Sequence, residues 1–192
     1  MEVYSMSTVV IGIDNGVTGS VAILKQSGDL STFPTPTTKK WAWSTGRGKS
    51  TISNYRRIDS AELVKIFGEH AFPADNVVVF LERPMIQGGV RFLSSISAAM
   101  CHADTTNALS TYAKAIGAKL TINVIDSKKW QSLTAKHVPG KRNTKEMSKY
   151  FAENVLNFYG AKPDSDAVCI AFYGGTKCGI TKYPKIKKGK TK

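Results

Sequence analysis

The sequence predicts an α/β fold in which a mixed five-stranded sheet is flanked by helices. Two patterns in its 192 residues carry this prediction. Short β-branched runs follow one another closely near the start of the chain, which is typical of an antiparallel meander. Further along, apolar strand-like runs alternate with stretches of helical period, which is typical of parallel strands joined by helices.

The meander is predicted to begin with strands at residues 8–13 and 20–24. Between them, Asp14-Asn15-Gly16 is a strong signal for a tight hairpin turn. Residues 30–33 fit a third strand. Residues 34–57 are rich in Pro and Thr and then basic, and we interpret them as an excursion from the domain, with a short ribbon as one form it can take. Asp59 and Glu62 have the spacing of a capping box and start a helix predicted to end near residue 70.

The second half alternates strands and helices. The continuous apolar run at 77–81 predicts a strand buried on both faces, which ends before Pro84. Later elements are a long helix at 93–116 ended by Gly117, a strand at 120–125, a short helix at 127–133, a helix from Asn143 to 158 ended by Gly160, and a last helix from 164–166 through 173. A meander followed by α/β alternation is the order of the ribonuclease-H-like fold. We expect one domain over residues 1–176 and a basic tail over 177–192.

The chain is strongly basic. It has 27 Lys and Arg against 14 Asp and Glu, a formal net charge of +13. Three stretches, residues 39–57, 128–149 and 177–192, hold 20 of the 27 basic residues and a single acid, Glu146. Such clustering is typical of a surface that follows a phosphate backbone and indicates a nucleic-acid partner. The alternative for residues 177–192 is a disordered arm that adds only nonspecific affinity.

The cysteines and the first residues indicate a reducing compartment. Cys101, Cys169 and Cys178 are odd in number and widely spaced, which favours neither a disulfide framework nor a zinc site. Residues 1–7 lack a signal-peptide pattern, and no apolar run has the length of a membrane span. We therefore expect a protein of the cytoplasm (the host cytoplasm for a viral chain) or of an organellar matrix, not secreted and without a membrane partner.

Four acidic residues stand at the ends of elements predicted to be buried. Asp14 closes the first strand, Glu82 closes the strand at 77–81, and Asp164 and Asp166 open the last helix, where free amides favour anions. Carboxylates that converge at one end of a sheet repel one another and raise one another's pKa. A divalent cation that prefers hard oxygen ligands, Mg²⁺ above all, relieves that repulsion.

Each of these residues also has a purely structural interpretation. Asp14 belongs to the hairpin-turn signal, Glu82 can pair with Arg83, and Asp164 can cap the last helix. Taken together, however, they fit the site that phosphodiester hydrolysis requires, in which paired metal ions activate a water and stabilise the leaving oxygen. The set therefore predicts a metal-dependent hydrolase.

Four segments resemble the RuvC family of Holliday-junction resolvases and fall in the family's order across residues 9–174. They are Ile11-Gly12-Ile13-Asp14-Asn15-Gly16 with Thr18-Gly19, Val79-Phe80-Leu81-Glu82, Asn143-Thr144-Lys145-Glu146, and Asp166-Ala167-Val168-Cys169-Ile170-Ala171. They are similar to the family's opening strand and turn, its second catalytic strand, its Ser-Lys-Glu helix start and its final Asp-Ala-Leu-x-Ile-Ala helix. Trp130, shortly after Asp126-Ser127, is more similar to phage and organellar branches than to bacterial ones.

The resemblance implies a homodimeric endonuclease that uses Mg²⁺, with Mn²⁺ as a substitute, to resolve four-way DNA junctions by paired nicking. It also implies that Asp14, Glu82 and Asp166 are catalytic metal ligands. Lys145 would stabilise the charge that develops on the scissile phosphate. By itself, Lys145 is equally compatible with an ordinary exposed lysine in a first helical turn.

Two features depart from the family. The family has a fourth acid three residues before its final aspartate, and Pro163 stands at that place here. Asp164 is the nearest substitute, displaced by one residue, and its role as a metal ligand stays open. The long helix at 93–116 also lacks the glycine spacing common in bacterial members, which leaves the dimer geometry open.

Contacts to DNA are predicted at three places. The family inserts an apolar or aromatic side chain at the junction centre just beyond its glutamate, and the matching positions are Met85, Arg91 and Phe92, each of which can instead be a packing residue. A platform of Trp41 with Lys39 and Lys40 is a second place, and a hydrophobic cluster beneath a long loop is the alternative. The remaining expected contacts are Lys128, Lys129, Lys141 and Arg142.

Other functions remain open at this level. The same fold and acids suit a nuclease that acts on other branched DNA or on RNA–DNA hybrids. A catalytically inactive DNA-binding homologue is a second alternative. The residues around Gly12 and Asp14 also resemble the phosphate loop of actin-like ATP-binding proteins, but the chain has no room for the second half of that fold, and ATP binding does not explain the net charge of +13.

Overall fold

A computed structural model describes residues 7–46, 49–84, 92–140, 142–159 and 165–183, apart from the side chains of residues 41–54, 92 and 93. The described strands are β1 (Thr8–Asp14), β2 (Ser20–Lys25), β3 (Leu30–Pro34), β4 (Thr37–Gly46), β5 (Lys49–Ile58), β6 (Asn76–Glu82) and β7 (Lys119–Ile125). Five of them form the main sheet in the order β3-β2-β1-β6-β7.

The main sheet is mixed. β1 pairs antiparallel with β2, and β2 with β3, whereas β1–β6 and β6–β7 are parallel. The predicted fold class is therefore confirmed, since this is the ribonuclease-H-like strand order. The turn between β1 and β2 depends on Gly19, whose N–H donates to the carbonyl of Gly16 at 3.1 Å. A Cβ on Gly19 would lie 2.0 Å from the carbonyl oxygen of Asp14, so only glycine fits there.

Helices cover both faces of the sheet. They are α1 (Ser60–His70), α2 (Phe92–Ile116), α3 (Ser127–Ala135), α4 (Thr144–Tyr150) and α5 (Ser165–Lys177), with a π-helical turn at Phe151–Val155. Because side chains alternate along a strand, Ile11 and Ile13 of β1 face the core under α1 and α2, while Val10 faces the core under α3–α5. The chain thus has two hydrophobic cores, and the layer of α3–α5 covers the face to which Asp14 belongs.

The excursion at 34–57 forms a separate two-stranded ribbon of β4 and β5, each ten residues long. Its base is fixed to the domain by two arginines. Arg57 Nε and Nη2 donate to the carboxylate of Asp104 on α2 at 2.8 and 2.6 Å, which is the paired geometry of a strong ion pair. Arg56 Nη2 donates to the carbonyl of Val17, in the β1–β2 turn, at 3.1 Å.

Two helix ends differ from the prediction. The capping box of Asn143 and Glu146 is present, but α4 ends at Tyr150 and not near 158, because the backbone widens into the π-helical turn and then reaches a positive φ of 54° at Asn157. α5 extends to Lys177, and the chain then turns back. Ile180 N–H donates to the carbonyl of Gly175 at 2.8 Å, and Tyr183 packs into the core under α3–α5.

The folded unit therefore includes residues up to Tyr183, beyond the expected domain end at 176, and residues 184–192 lie outside the described part. No described helix is both long enough and apolar enough to cross a membrane. Cys101, Cys169 and Cys178 are free thiols.

Candidate active site

Asp14 and Glu82 lie side by side at the carboxyl ends of the two central strands. β1 and β6 are parallel, and their register pairs Ile13 with Leu81, so the next residue of each strand stands at the same level. Both side chains are half-buried. Their face of the sheet is the one covered by α3–α5, because they alternate with residues of the opposite core.

Asp166 reaches the same end of the sheet because α5 packs directly on β1. Gly12 makes this possible, since a Cβ at that position would lie 2.2 Å from the backbone nitrogen of Ala171 and 2.6 Å from the carbonyl of Ala167. Further along α5, Gly174 lies against Val10. The helix therefore runs antiparallel to β1, and its first turn, with Asp166, lies toward Asp14.

The electrostatics indicate that the three carboxylates lie near one another. Burial raises the pKa of Asp14 to about 6, with a further increase from Asp166 and a decrease from Lys145. Burial also raises the pKa of Glu82 to about 7, and the charges of Asp14 and Asp166 add to this, whereas a hydrogen bond from Trp130 opposes it. Like charges held this close at the end of a sheet favour protonation or a bound cation.

Asp166 interacts with two residues of α4. Burial raises its pKa, and a hydrogen bond from Ser148 and the charge of Lys145 lower it. Ser148 Oγ also lies 3.0 Å from the carbonyl of Thr144, and a hydroxyl has one proton, so this bond to Asp166 competes with one inside α4. Among the residues that the structure describes, Asp166 Oδ1 is buried with no hydrogen-bond partner, which leaves this oxygen available to a cation.

Lys145 stands beside the carboxylates. It is the second residue of α4, whose start is fixed by reciprocal hydrogen bonds between Asn143 and Glu146. Its charge lowers the pKa of both Asp14 and Asp166. Lys145 is therefore close to Asp14 and Asp166. An ordinary exposed lysine in a first helical turn would not be expected to lie beside these two carboxylates.

Trp130 is a site residue that the sequence reasoning did not assign. Its indole Nε1 donates a hydrogen bond to Glu82 Oε2 at 3.2 Å. The sequence offered one signal, namely that Trp130 follows the end of β7 by five residues. The end of β7 is Ile125, which the register pairs with Glu82.

The donor set suits a hard divalent cation. Carboxylate oxygens from three separate elements are the ligands that Mg²⁺ and Mn²⁺ prefer. As they stand, no three acidic, histidine or cysteine side chains in the described ranges are grouped tightly enough to enclose one ion. The charge of Asp166 nevertheless acts on both Asp14 and Glu82, and that of Asp14 acts on Glu82, which indicates that the three carboxylates share one region.

An open groove of about 380 Å³ lies between the β1–β2 turn and α2. Its walls are the β1–β2 turn at residues 15–18 and one side of α2, including Ser94 and Ser97. The side-chain amide of Asn15 is buried there without a hydrogen-bond partner within the described part of the chain. The groove is thus lined by uncharged groups and lies on the α2 side of the sheet.

The predicted DNA contacts are placed in part. Lys39 and Lys40 are exposed on β4, Lys128 and Lys129 are exposed on α3, and Arg142 is exposed before α4, with its guanidinium carbon 4.4 Å from the centre of the Tyr150 ring. Met85, Arg91, Lys141 and Asp164 lie outside the described residues. Trp41 belongs to β4 and Phe92 begins α2, but their side chains also lie outside the described part.

The fold places the chain in the ribonuclease-H-like class. Among solved structures, it is similar to that of Thermus thermophilus RuvC, at 15% identity and a TM-score of 0.45, over 92% of this chain and 99% of that one. It is similar over the same shares to T. thermophilus RuvC in complex with a Holliday junction substrate, at 12% identity and a TM-score of 0.45. The yeast mitochondrial Holliday junction resolvase Ydc2 is similar at 15% identity and a TM-score of 0.45, over 84% of this chain and 75% of that one. No family model and no curated protein sequence matches.

Proposed function

We propose that this protein is a divalent-metal-dependent endonuclease that resolves four-way DNA junctions by paired nicking. The observation that carries the proposal is the meeting of Asp14, Glu82 and Asp166 at one end of the sheet, where burial raises the pKa of each and neighbouring carboxylates raise those of Asp14 and Glu82 further. Such a cluster of acids is unfavourable unless a cation offsets its charge. Clusters of this kind are typical of functional sites.

The residues of the proposed site have two roles, ion binding and charge stabilisation. Asp14, Glu82 and Asp166 would hold Mg²⁺ or Mn²⁺, with Asp164 as an auxiliary ligand. When bound, these ions supply the Lewis acidity that activates water and stabilises the leaving oxygen in phosphodiester hydrolysis. Lys145, adjacent to Asp14 and Asp166, would place a positive charge where a scissile phosphate gains negative charge.

The charge distribution supports DNA as the substrate. The net charge is +13, and the ribbon sequence from 37 to 58 contains six basic residues and no acid. Lys39 and Lys40 are exposed on that ribbon, and Lys128 and Lys129 are exposed on α3, which also carries Trp130 of the site. These surfaces would follow the phosphate backbones of arms that leave a branch point.

We propose a twofold homodimer as the active species, with α2 as its interface. A four-way junction presents two equivalent strands, and symmetric nicks on both require two sites related by a twofold axis. The described start of α2 suits such a contact because residues 94–103 carry no Asp, Glu, Lys or Arg and expose Ile96. This interface would leave the face of the carboxylates free for DNA.

The test is incubation of the full chain with a synthetic four-way junction, a fork, a linear duplex and an RNA–DNA hybrid, each with Mg²⁺ and with EDTA. Paired symmetric nicks on the junction, present with Mg²⁺ and absent with EDTA, are the expected result. Cleavage of the fork or hybrid in preference to the junction would instead identify a related nuclease. Tight binding of the junction without cleavage of any substrate would identify a DNA-binding protein and overturn the proposed activity.

A further inference from the structure

We infer that Trp130 is a positioning residue for the proposed metal site, because it holds the carboxylate of Glu82 in the orientation that a cation requires. The inference rests on the proposed function. The observation that supports it is the hydrogen bond of 3.2 Å from the indole Nε1 of Trp130 to Glu82 Oε2. This is a contact between a residue of α3 and a carboxylate at the end of β6, and it accounts for a tryptophan at this place.

Trp130 is itself held rigidly. It is 1% exposed and is one of the largest fully buried side chains in the described part of the chain. Its own carbonyl accepts a hydrogen bond of 3.0 Å from Thr134 Oγ1, one turn further along α3. Because the ring is enclosed in the core under α3–α5, its N–H has a fixed direction.

The strand that carries the acceptor, β6, is also held in place by its neighbours. β6 and β7 are paired through Glu82 and Ile125, and the ladder continues for one further bond, from Arg83 N–H to the carbonyl of Ile125 at 2.8 Å. α3 begins two residues after Ile125. The backbone positions of Glu82 and Trp130 are therefore fixed relative to each other, with a single residue, Asp126, between β7 and α3.

The chemistry of the donor suits this role. An indole N–H donates one hydrogen bond and carries no charge, so it can fix an oxygen without replacing the cation. The bond is made to Oε2, so Oε1 takes no part in it. A lysine or arginine at the same place would neutralise the charge that a divalent ion needs.

A buried tryptophan needs a partner for its N–H in any protein, so packing alone is the competing explanation. Trp130→Phe separates the two explanations, since it keeps most of the aromatic volume and removes only the donor. Phe151→Leu is the matched control. Phe151 is fully buried in the same core, but it makes no hydrogen bond to a carboxylate.

The experiment measures Mn²⁺ binding to the full chain by isothermal titration calorimetry, beside thermal unfolding and metal-free junction binding. Trp130→Phe is expected to weaken Mn²⁺ binding by roughly ten- to a hundredfold. Phe151→Leu should lower the melting temperature to a similar or greater degree with Mn²⁺ affinity unchanged. In a Glu82→Gln background, Trp130→Phe should produce no further loss of affinity, because the bond then has no charged acceptor to orient.

A second readout does not depend on a folded Trp130→Phe variant. In a ¹H–¹⁵N NMR spectrum of the wild-type protein, the indole cross-peak that is sensitive to Glu82→Gln should also shift on titration with Mg²⁺. An indole that responds to neither change, or a Trp130→Phe variant with wild-type Mn²⁺ affinity, overturns the inference while the nuclease assignment stands. A wild-type protein that neither binds Mn²⁺ nor cuts any DNA substrate overturns both.

Discussion

Gly12 of β1 and Ala171 of α5 meet backbone to backbone, with 2.2 Å between the position of a Cβ on Gly12 and the nitrogen of Ala171. No side chain separates the helix from the central strand of the sheet at this point. The contact sets the height of α5 above β1 and so brings the first turn of the helix to the end where Asp14 lies. A glycine inside a buried strand thus determines the position of Asp166.

Gly12→Ala should therefore damage the site as well as the core. The added methyl group meets backbone atoms of Ala171 and Ala167, which cannot rotate away, so α5 must lift from the sheet. We expect a loss of stability of roughly 1–3 kcal/mol or more, as for other overpacked cores. Urea unfolding measures this loss, and cleavage assays on the fraction that remains folded should show little activity.

Gly68→Ala is the control for that experiment. Gly68 lies in α1, and a Cβ there would meet no atom within 4 Å. Alanine at this position should stabilise the helix by roughly 0.5–1 kcal/mol and leave cleavage unchanged. A Gly12→Ala protein with wild-type stability and wild-type cutting would show that α5 does not depend on the close approach.

Asp14→Asn and Glu82→Gln should each abolish cleavage while leaving junction binding nearly intact. Each substitution keeps the shape of the side chain and removes one negative charge from the proposed ligand set. Gel-shift titrations in EDTA and nicking assays in Mg²⁺ separate the two properties. Glu69→Gln, at an exposed position on α1, is the matched control and should cut normally. Wild-type rates in either site variant would contradict the assignment.

The two aspartates at the start of the last helix should differ in importance. Asp166 belongs to the first turn of α5 and interacts with the charge of Lys145, so Asp166→Asn should be inactive. Asp164 precedes the helix, and Asp164→Asn should retain measurable cleavage with a requirement for more Mg²⁺. Nicking rates across a Mg²⁺ titration compare the two variants. The reverse order of severity would mean that the ligand on this helix is misassigned.

Without metal, the stability of the protein should fall as the pH rises between about 4 and 7. The pKa of Asp14 is raised from 3.8 to about 6 and that of Glu82 from 4.5 to about 7. In this window the folded protein retains protons that the unfolded chain has released, so raising the pH favours unfolding. Metal binding has the opposite dependence, because a cation competes with these protons, and Mn²⁺ affinity should increase up to about pH 7.

Unfolding in EDTA at pH 5, 6, 7 and 8 measures this contribution when wild type is compared with the Asp14→Asn, Glu82→Gln double variant. The variant lacks both titrating groups, so its stability relative to wild type should increase with pH. A constant difference across the series would show that the two carboxylates have ordinary pKa values. If the wild type instead became more stable relative to the variant as the pH rises, the predicted direction of the pH dependence would be wrong.

Junction binding should weaken steeply with salt, and removal of residues 184–192 should reduce that dependence. The segment contains five lysines, and each phosphate contact that is lost lowers the slope of log K against log salt by about 0.9. The cut must follow Tyr183, because that ring packs on His137 and Phe172 in the core. Fluorescence anisotropy at several salt concentrations gives the slope, with Lys65→Gln on α1 as control. Loss of Mg²⁺-dependent cutting on saturating DNA would show that the segment is structural.

The sequence predicted the parts of this site that depend on strand ends. Asp14 and Glu82 close apolar runs that had to be central strands, and parallel neighbours bring their carboxyl ends together, so their proximity followed from pattern alone. The assignment of Asp166 to the site was predicted from its place in the first turn of a helix and from the family resemblance. These predictions needed the order of the elements and no side-chain detail.

Other features could not be predicted because they depend on contacts between distant residues. The bond from Trp130 to Glu82 requires the register of β6 on β7 and the direction of α3, and neither has a local signal. The π-helical turn at Phe151–Val155 interrupts a stretch with an ordinary helical pattern. The ion pair of Arg57 with Asp104 fixes the ribbon to α2, although the sequence predicted only a basic excursion that can form a short ribbon.

The packing of α5 on β1 also affects when the carboxylate set becomes complete during synthesis. Among the described elements β1 is made first, and α5, the helix that covers it, is made last. A chain that ends before α5 already carries the basic ribbon, but it has no Asp166 and its central strand is still uncovered on one face. Under the proposed function, such a truncated chain would bind nucleic acid without cleaving it.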